Sequence, residues 1–450
     1  MKKMSYEIDM CHGPLLGKIL IFAIPLMLSS ILQLLFNAAD IVVVGHYVGS
    51  QALAAVGSTG ALINLLINVF IGFSVGVNVL VARYYGAQDE QNISDTVHTA
   101  IMTSLLSSLL LVVVGISASK PLLVLMGTPE DVLNQASLYM KIYFAGMPVI
   151  MLYNFGSAIL RAIGDTKRPL YFLLLAGIIN VILNLFFVIA LHMGVEGVAL
   201  ATVISQVVSC FLVLRSLMRM PGALRLHPRQ IKLHKSKFFK IVRIGLPAGM
   251  QGAIFSVSNV LIQSSVNSFG SIAMAGNTAS SNIEGFIYVA MNAFYQSNLS
   301  FTSQNYGAKQ FKRINRVLCI CLACVTVVGL GSGLLAITFS DALLHIYSSD
   351  PEVISYASLR IVIICSSYFL CGIMDTLVGS MRGLGYSILP MIVSLTGACG
   401  LRIVWIFTVF ALDRSLSVLY YSYPVSWAIT AAAHLLCFLI IRRKYPKLDC

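Results

Sequence analysis

The amino-acid sequence predicts an all-α polytopic membrane protein: twelve transmembrane helices in two six-helix bundles related by a pseudo-two-fold axis. Three observations lead there. Hydrophobic residues are 58% and charged residues 10% of the 450, whereas soluble domains carry roughly 25% charged residues. The apolar runs reach membrane-helix length and lack the ten-residue alternation of an outer-membrane barrel. A set of short motifs also recurs at one fixed separation in the two halves.

A span needs about twenty apolar residues. Twelve are expected, at 17–46, 52–82, 94–119, 135–160, 169–192, 195–216, 241–268, 272–304, 315–339, 353–381, 389–411 and 420–441. The first follows MKKMSYEIDMCHGPLLGK with no small-residue cleavage pattern, so it reads as a retained span and not a signal peptide. Pro25, Pro148 and Pro247 fall inside spans, where the missing N–H favours a kink. Gly72 and Gly76 form a small-residue packing motif. Cys319, Cys321 and Cys324 lie in an apolar helix-like run, where free cysteine behaves as a small hydrophobe and not as a metal ligand.

Between spans 6 and 7 lies a basic segment, Arg215 to Arg243, with nine of the 30 Lys and Arg and no Asp or Glu. It divides the chain into a bundle over 1–214, a cytoplasmic linker over 215–240 and a second bundle over 241–450. Flanked by spans, the segment fits the cytoplasmic Lys/Arg excess better than nucleic-acid binding. On that assignment Arg83, Arg161, Arg168, Lys312 and Arg382 face the cytoplasm with both termini and their Lys2, Lys3 and Lys447. The opposite loops hold only Lys120 and Arg414 as cations. The net charge of +13 then requires no nucleic acid or acidic partner beyond the lipid bilayer.

The repeat holds one register over much of each half. Tyr85-Gly86-Ala87 recurs 221 positions later as Tyr306-Gly307-Ala308, and Arg161, Gly164 and Pro169 recur at the same separation as Arg382, Gly385 and Pro390. Pro25 and Asn37 recur 222 positions on as Pro247 and Asn259. Six spans per repeat give both halves the same orientation, which implies an axis along the membrane normal and suits alternating access. The major facilitator class shares that layout, but its basic Gly-x-x-x-Asp-Arg motif is absent from the ARYYGAQDEQN loop.

Ionisable side chains inside a span are costly and are therefore functional candidates. Asp40 lies about 10 Å below the outer end of span 1, and Asn184 and Thr202 lie about 12 Å deep in spans 5 and 6. Asn180 is one turn from Asn184 on the same face. Together they are expected to bind a proton or a hard cation such as Na⁺, with ordinary interhelical hydrogen bonding as the alternative. In the second half Glu284, Asp375 and Arg402 are expected to form a second charge site, Arg402 pairing with Glu284 or Asp375; a structural ion pair is the alternative. Lys141 and Arg360 sit near span ends, within reach of the interface. Gln251, Tyr288, Asn292 and Tyr295 belong to a polar, aromatic stretch suited to amphipathic or cationic ligands.

The opening GPLLGKILIFAIPLMLSSILQLLFNAADIVVVGHYVG, the stretch NIEGFIYVAMNAFYQSNLSFTSQNYGA and the two-repeat plan resemble a bacterial multidrug and toxic compound extrusion (MATE) transporter over essentially the whole chain. The resemblance implies a monomeric antiporter of the bacterial cytoplasmic (inner) membrane. It would export organic cations or drugs in exchange for H⁺ or Na⁺, with no cofactor and no enzymatic activity. It also implies a cation site at Asp40, Asn180, Asn184 and Thr202, the only place for a metal ion being Na⁺ at Asp40. Some members carry Asp where this chain has Asn184, and sodium-type members carry a span-7 Glu that GMQGAIFSVSN lacks, which leaves Glu284 and Asp375 as its substitutes. The alternative reading is a lipid-linked oligosaccharide or lipid flippase of the related fold. Its anionic headgroup calls for several mid-span cations, and only Arg402 is expected there.

Overall fold

In the computed structural model, residues 6–444 are described, so Lys2, Lys3 and Lys447 lie outside them. The chain is built from helices: α1 (Leu15–Val43), α2 (Ser50–Gly86), α3 (Glu90–Leu125), α4 (Glu130–Ala145), α5 (Met147–Ala162), α6 (Lys167–Leu185), α7 (Val195–Met218), α8 (Lys235–Asn267) and α9 (Ser271–Gly307). There follow α10 (Phe311–Thr338), α11 (Ser340–His345), α12 (Pro351–Cys365), α13 (Tyr368–Gly383), α14 (Ile388–Ser394), α15 (Leu401–Phe407), α16 (Val409–Leu412) and α17 (Leu416–Arg442). Among the described residues nine helical stretches are long and apolar enough to cross a bilayer, or eleven when two bent pairs each count as one. The remaining expected span, 272–304, is α9, a 37-residue helix rich in Asn, Gln, Ser and Thr.

The bent pairs are α4–α5, at 49°, and α12–α13, at 45°. The first bends at Gly146, with Pro148 in the opening turn of α5. The second has no proline. There the Ser366 and Ser367 hydroxyls donate to the carbonyls of Ile363 and Ile364, at 3.1 and 3.2 Å, competing with the helical ladder. Different residues thus produce one bend at corresponding places in the two repeats.

The repeat is visible in the backbone as well. Gly49 and Gly270 precede α2 and α9 with φ of 117° and 96°, and Gly164 and Gly385 share φ of 92° and 95°. Even the non-glycine pair Gln88 and Lys309 adopts the left-handed region in both halves, at 55° and 58°.

The chain forms two compact units: one from the described residues through Asp9 with Leu28–Gly249, the other from Met10–Met27 with the described residues from Met250 onward. The divisions fall within α1 and α8, two residues after Pro25 and Pro247. In the first unit α3 packs on α4 and α5, and α6 on α7. There the Gly72/Gly76 motif faces Gly245 and Gly249 of α8 so closely that a Cβ at any of the four would meet backbone atoms of the other helix. In the second unit α9 packs against α10, α12 and α13, and α17 against α13.

Large apolar side chains such as Val42, Val113, Ile182, Val327 and Ile440 point outward, while Asn180, Asn184, Glu284, Arg360 and Arg402 are buried. Lipid in place of water as the surrounding medium accounts for that inversion.

Candidate functional site

The site in the first unit is positioned by a glycine. Gly177 on α6 has no side chain, and the ring of Phe36 on α1 occupies the space a Cβ would need. That close approach sets the next turn of α1, with Asp40, against the next turns of α6, with Asn180 and Asn184. Asp40 is half-buried, Asn180 and Asn184 are buried, and Thr202 of the adjoining α7 is half-buried.

All four residues join one hydrogen-bonded chain. Thr202 Oγ1 donates to the Val198 carbonyl at 3.0 Å, and Asn180 Nδ2 donates to Thr202 Oγ1 at 3.4 Å. Asn184 Nδ2 donates both to Asn180 Oδ1, at 3.3 Å, and to Asp40 Oδ1. With its amide nitrogen thus engaged, Asn184 leaves its Oδ1 buried and without a donor. An unpaired acceptor beside a carboxylate is an arrangement that a bound cation, or a proton on the carboxylate, would satisfy.

Both helices that carry this site widen directly beyond it. A π-helical turn, Val44–Val48, follows α1 four residues after Asp40, and another, Phe186–Ala190, follows α6 two residues after Asn184. Such turns often occur at functional sites.

The second unit holds a different set. Glu284 on α9 is buried and pairs with Arg360 of α12: Arg360 Nε donates to Oε1 at 2.8 Å and Nη2 to Oε2 at 2.7 Å. Ser280 donates to the same carboxylate at 3.0 Å, and Arg360 Nη1 donates to Asn277 Oδ1 at 2.7 Å. This corrects two expectations. Arg402 does not pair with Glu284 or Asp375, and Arg360 does not reach out to the interface but is 6% exposed. The reason is register: α9 and α12 approach closely at Gly276, where a Cβ would meet the backbone at Val353 and Ala357, so Arg360 meets Glu284 first. Lys141, by contrast, is exposed.

Arg402 follows a third π-helical turn, Leu395–Gly400. Its Nε donates to Ser426 Oγ at 2.9 Å, and its guanidinium lies 4.2 Å from the ring centre of Tyr423 and 5.5 Å from that of Trp427. Asp375 on α13 accepts from the Tyr288 hydroxyl at 3.4 Å. Gln251 and Tyr295 converge on Arg382, which donates to both at 2.8 Å. Arg382 was expected at a cytoplasmic end and is buried. Asn292, on α9, is half-buried and makes no hydrogen bond to this group.

Sequence reasoning thus missed Arg360, Arg382, Asn277 and the aromatic partners of Arg402. The repeat register held a signal for one of them. Arg360 occupies the position 221 residues after Tyr139, a buried residue of the first unit's core.

Comparison with known proteins identifies the family and the fold. The MatE family model matches residues 25–186 and again 247–408. A relative described as probable multidrug resistance protein YoeA, from Bacillus subtilis (strain 168), is 29% identical over 91% of this chain and 90% of its own. A FAD transporter from Shewanella oneidensis is 26% identical over 80% and 82%. Among solved structures, an outward-facing multidrug resistance MATE transporter superposes with a TM-score of 0.92 over 99% of this chain and 100% of its own, at 20% identity. Two family matches, one per repeat, on a polytopic helical frame make this chain a member of the MatE family of membrane transporters.

Proposed function

We propose that the protein is a secondary active antiporter that exports drugs and organic cations across a bacterial cytoplasmic membrane in exchange for H⁺ or Na⁺. The reading assigns it as a monomer without a cofactor, with both termini in the cytoplasm. The relatives described as multidrug resistance proteins support an exporter. The observation that carries the coupling step is the chain from Thr202 to Asp40 ending at an unpartnered Asn184 Oδ1.

The donors run outward from Asn184, in one direction through Asn180 and Thr202 to the Val198 carbonyl and in the other to Asp40, so Asp40 is the acceptor at one of the two ends. An ionised carboxylate only accepts, whereas a protonated one also donates. A proton taken up at Asp40 would therefore weaken the bond from Asn184 Nδ2 and offer a donor to Asn184 Oδ1. Sodium, as the transported ion, would take the same oxygens, since hard cations seek oxygen ligands. Either event changes the link between α1 and α6 next to the two π-helical turns, where the helical ladder is already altered. Loading and unloading of Asp40 would thus bias the conformation of α1.

The test is dye or fluoroquinolone export from drug-hypersensitive bacteria, comparing the natural protein with Asp40→Asn while Na⁺ and the proton gradient are removed separately. Loss of export in Asp40→Asn and on removal of one gradient is the expected result. Undiminished export by Asp40→Asn, with protein present in the membrane, would sink the coupling role.

A further inference from the structure

We infer that the second unit contains an oxyanion-binding site centred on Arg402, so that cargo engaging it carries a carboxylate or phosphate on an aromatic scaffold. The inference rests on the reading of the chain as an exporter and gives the chemical class of what it moves.

The first observation is an unbalanced charge. Arg402 is 4% exposed. Of its five N–H bonds only that on Nε has an acceptor, Ser426 Oγ. The four on Nη1 and Nη2 meet no hydrogen-bond acceptor among the described residues, and no carboxylate lies within ion-pair distance. Glu284 is committed to Arg360 by two hydrogen bonds. Two guanidiniums against one carboxylate leave one positive charge, and including Asp375 with Arg382 leaves that balance unchanged. A guanidinium held in a buried place with its fork free fits a planar, two-oxygen anion.

The second observation comes from the repeat. The corresponding positions in the first unit form or border the Asp40 site: Tyr423 stands 221 residues after Thr202, Trp405 after Asn184, and Arg360 after Tyr139. In the first unit this position in the fold carries one carboxylate and amide and hydroxyl groups that can ligate a cation. In the second it carries arginines and aromatic rings. One architecture is thus used twice with opposite polarity.

The third observation is the aromatic setting. The Arg402 guanidinium lies over the Tyr423 ring at 4.2 Å, and Tyr368 stacks on Trp427 with centroids 5.2 Å apart. Stacking holds the guanidinium plane and leaves its edge for an anion, while flat rings suit a flat ligand body. A zwitterionic drug would satisfy both this site and a preference for cationic cargo.

The chain has two tryptophans, Trp405 and Trp427, both beside Arg402 in sequence or space. Intrinsic fluorescence of the purified full-length protein therefore reports on this site. Ciprofloxacin would be titrated against its methyl ester, and flavin mononucleotide against riboflavin; each pair differs at the oxyanion.

Tighter binding of the acid by about ten-fold is expected in at least one pair, as for a charge-assisted bidentate contact. The pair that shows it distinguishes carboxylate from phosphate. Arg402→Gln is expected to bring the ratio near one, and Arg402→Lys to leave an intermediate value because an ammonium keeps the charge but loses the fork. Equal binding within both natural-protein pairs overturns the inference, as does a preference that survives Arg402→Gln. Should Arg402→Gln fail to fold, a ratio in Arg402→Lys as large as in the natural protein also overturns it.

Asp40→Asn, measured in parallel, is expected to lose gradient-driven export while keeping the acid preference. Export kept by Asp40→Asn with the preference intact removes the antiport reading alone. Export lost, with no acid preference in the natural protein, removes the anion site alone.

Discussion

Glu284 and Arg360 face each other through two parallel hydrogen bonds of 2.8 and 2.7 Å, both side chains buried within the second unit. Each group is costly in the membrane interior without the other, because removing one partner strands a charge. Glu284→Gln is expected to destabilise the protein by about 3–5 kcal/mol, read as a fall in the thermal midpoint in detergent. The double substitution Glu284→Leu with Arg360→Met should cost less than the two single changes added together, because no charge is then left behind. A double mutant no more stable than strict additivity would show that the pair is not coupled.

How much of this was legible beforehand depended on what each residue's signal was. Hydropathy marked the spans, and the 221-residue register marked the repeat, because both are properties of the chain read along its length. Asp40, Asn180, Asn184 and Thr202 could be grouped by depth, since a rise of about 1.5 Å per residue places a helical residue along the membrane normal. The partner of Glu284 could not be found that way. It depends on rotation about each helix axis and on the closeness of α9 and α12 at Gly276, and neither hydropathy nor distance from a span end separates Arg360 from the exposed Lys141; the repeat register, through Tyr139, marks Arg360 as buried but does not name its partner. The π-helical turns beside Asp40, Asn184 and Arg402 were equally hidden. They do not occupy corresponding positions in the two repeats, so the register gave no hint of them.

Asn184 tests whether the hydrogen-bonded chain matters beyond the acid it serves. Asn184→Leu removes the donor to Asp40 and the unpartnered Oδ1 together while keeping the branching at Cγ. Gradient-driven export is expected to fall by at least about ten-fold, the effect of losing roughly 1.4 kcal/mol of coupling, with protein still in the membrane. Asn184→Asp should retain more export than Asn184→Leu, because it keeps two oxygens at the site for a cation. Equal export by both variants and the natural protein would confine coupling to Asp40.

Gly177 tests how the site is positioned. The Phe36 ring occupies the space of a Cβ at this residue, so Gly177→Val must push α1 and α6 apart or turn the ring. Overpacking of this kind typically costs about 1–3 kcal/mol. Export should fall with it, because Asp40 follows Phe36 by one turn on the same face. Adding Phe36→Ala to Gly177→Val is expected to restore both stability and export in part, by returning the space. If the double variant is no better than Gly177→Val alone, steric overlap with Phe36 is not the cause.

The two repeats complete one helix start differently: the Asn92 N–H bonds to the Asp89 side chain, whereas the Arg313 N–H bonds to the Gln310 carbonyl at 3.0 Å. Asp89 precedes α3 and accepts from the Asn92 backbone N–H at 3.1 Å, and hydrogen bonds from the Asn92 side chain and backbone hold its carboxyl below the usual range. Gln310 is the corresponding residue before α10. It has nearly the same φ, −91° against −90°, but makes no side-chain cap. Gln310→Asp would place a carboxylate within reach of the Arg313 backbone N–H, at a helix N-terminus and among Lys309, Lys312 and Arg313. The change is expected to stabilise the protein by about 0.5–1 kcal/mol, seen as a higher thermal midpoint at neutral pH.

The sign with pH follows from the direction of the Asp89 shift. A carboxylate whose folded pKa is lowered contributes stability above its unfolded value, near 4, and loses it as pH falls through the folded value. The gain from Gln310→Asp should therefore persist at pH 7 and fade on acidification below about pH 4. A gain independent of pH would point to helix propensity or charge balance in place of a cap, and no gain would show that Gln310 already satisfies this helix start.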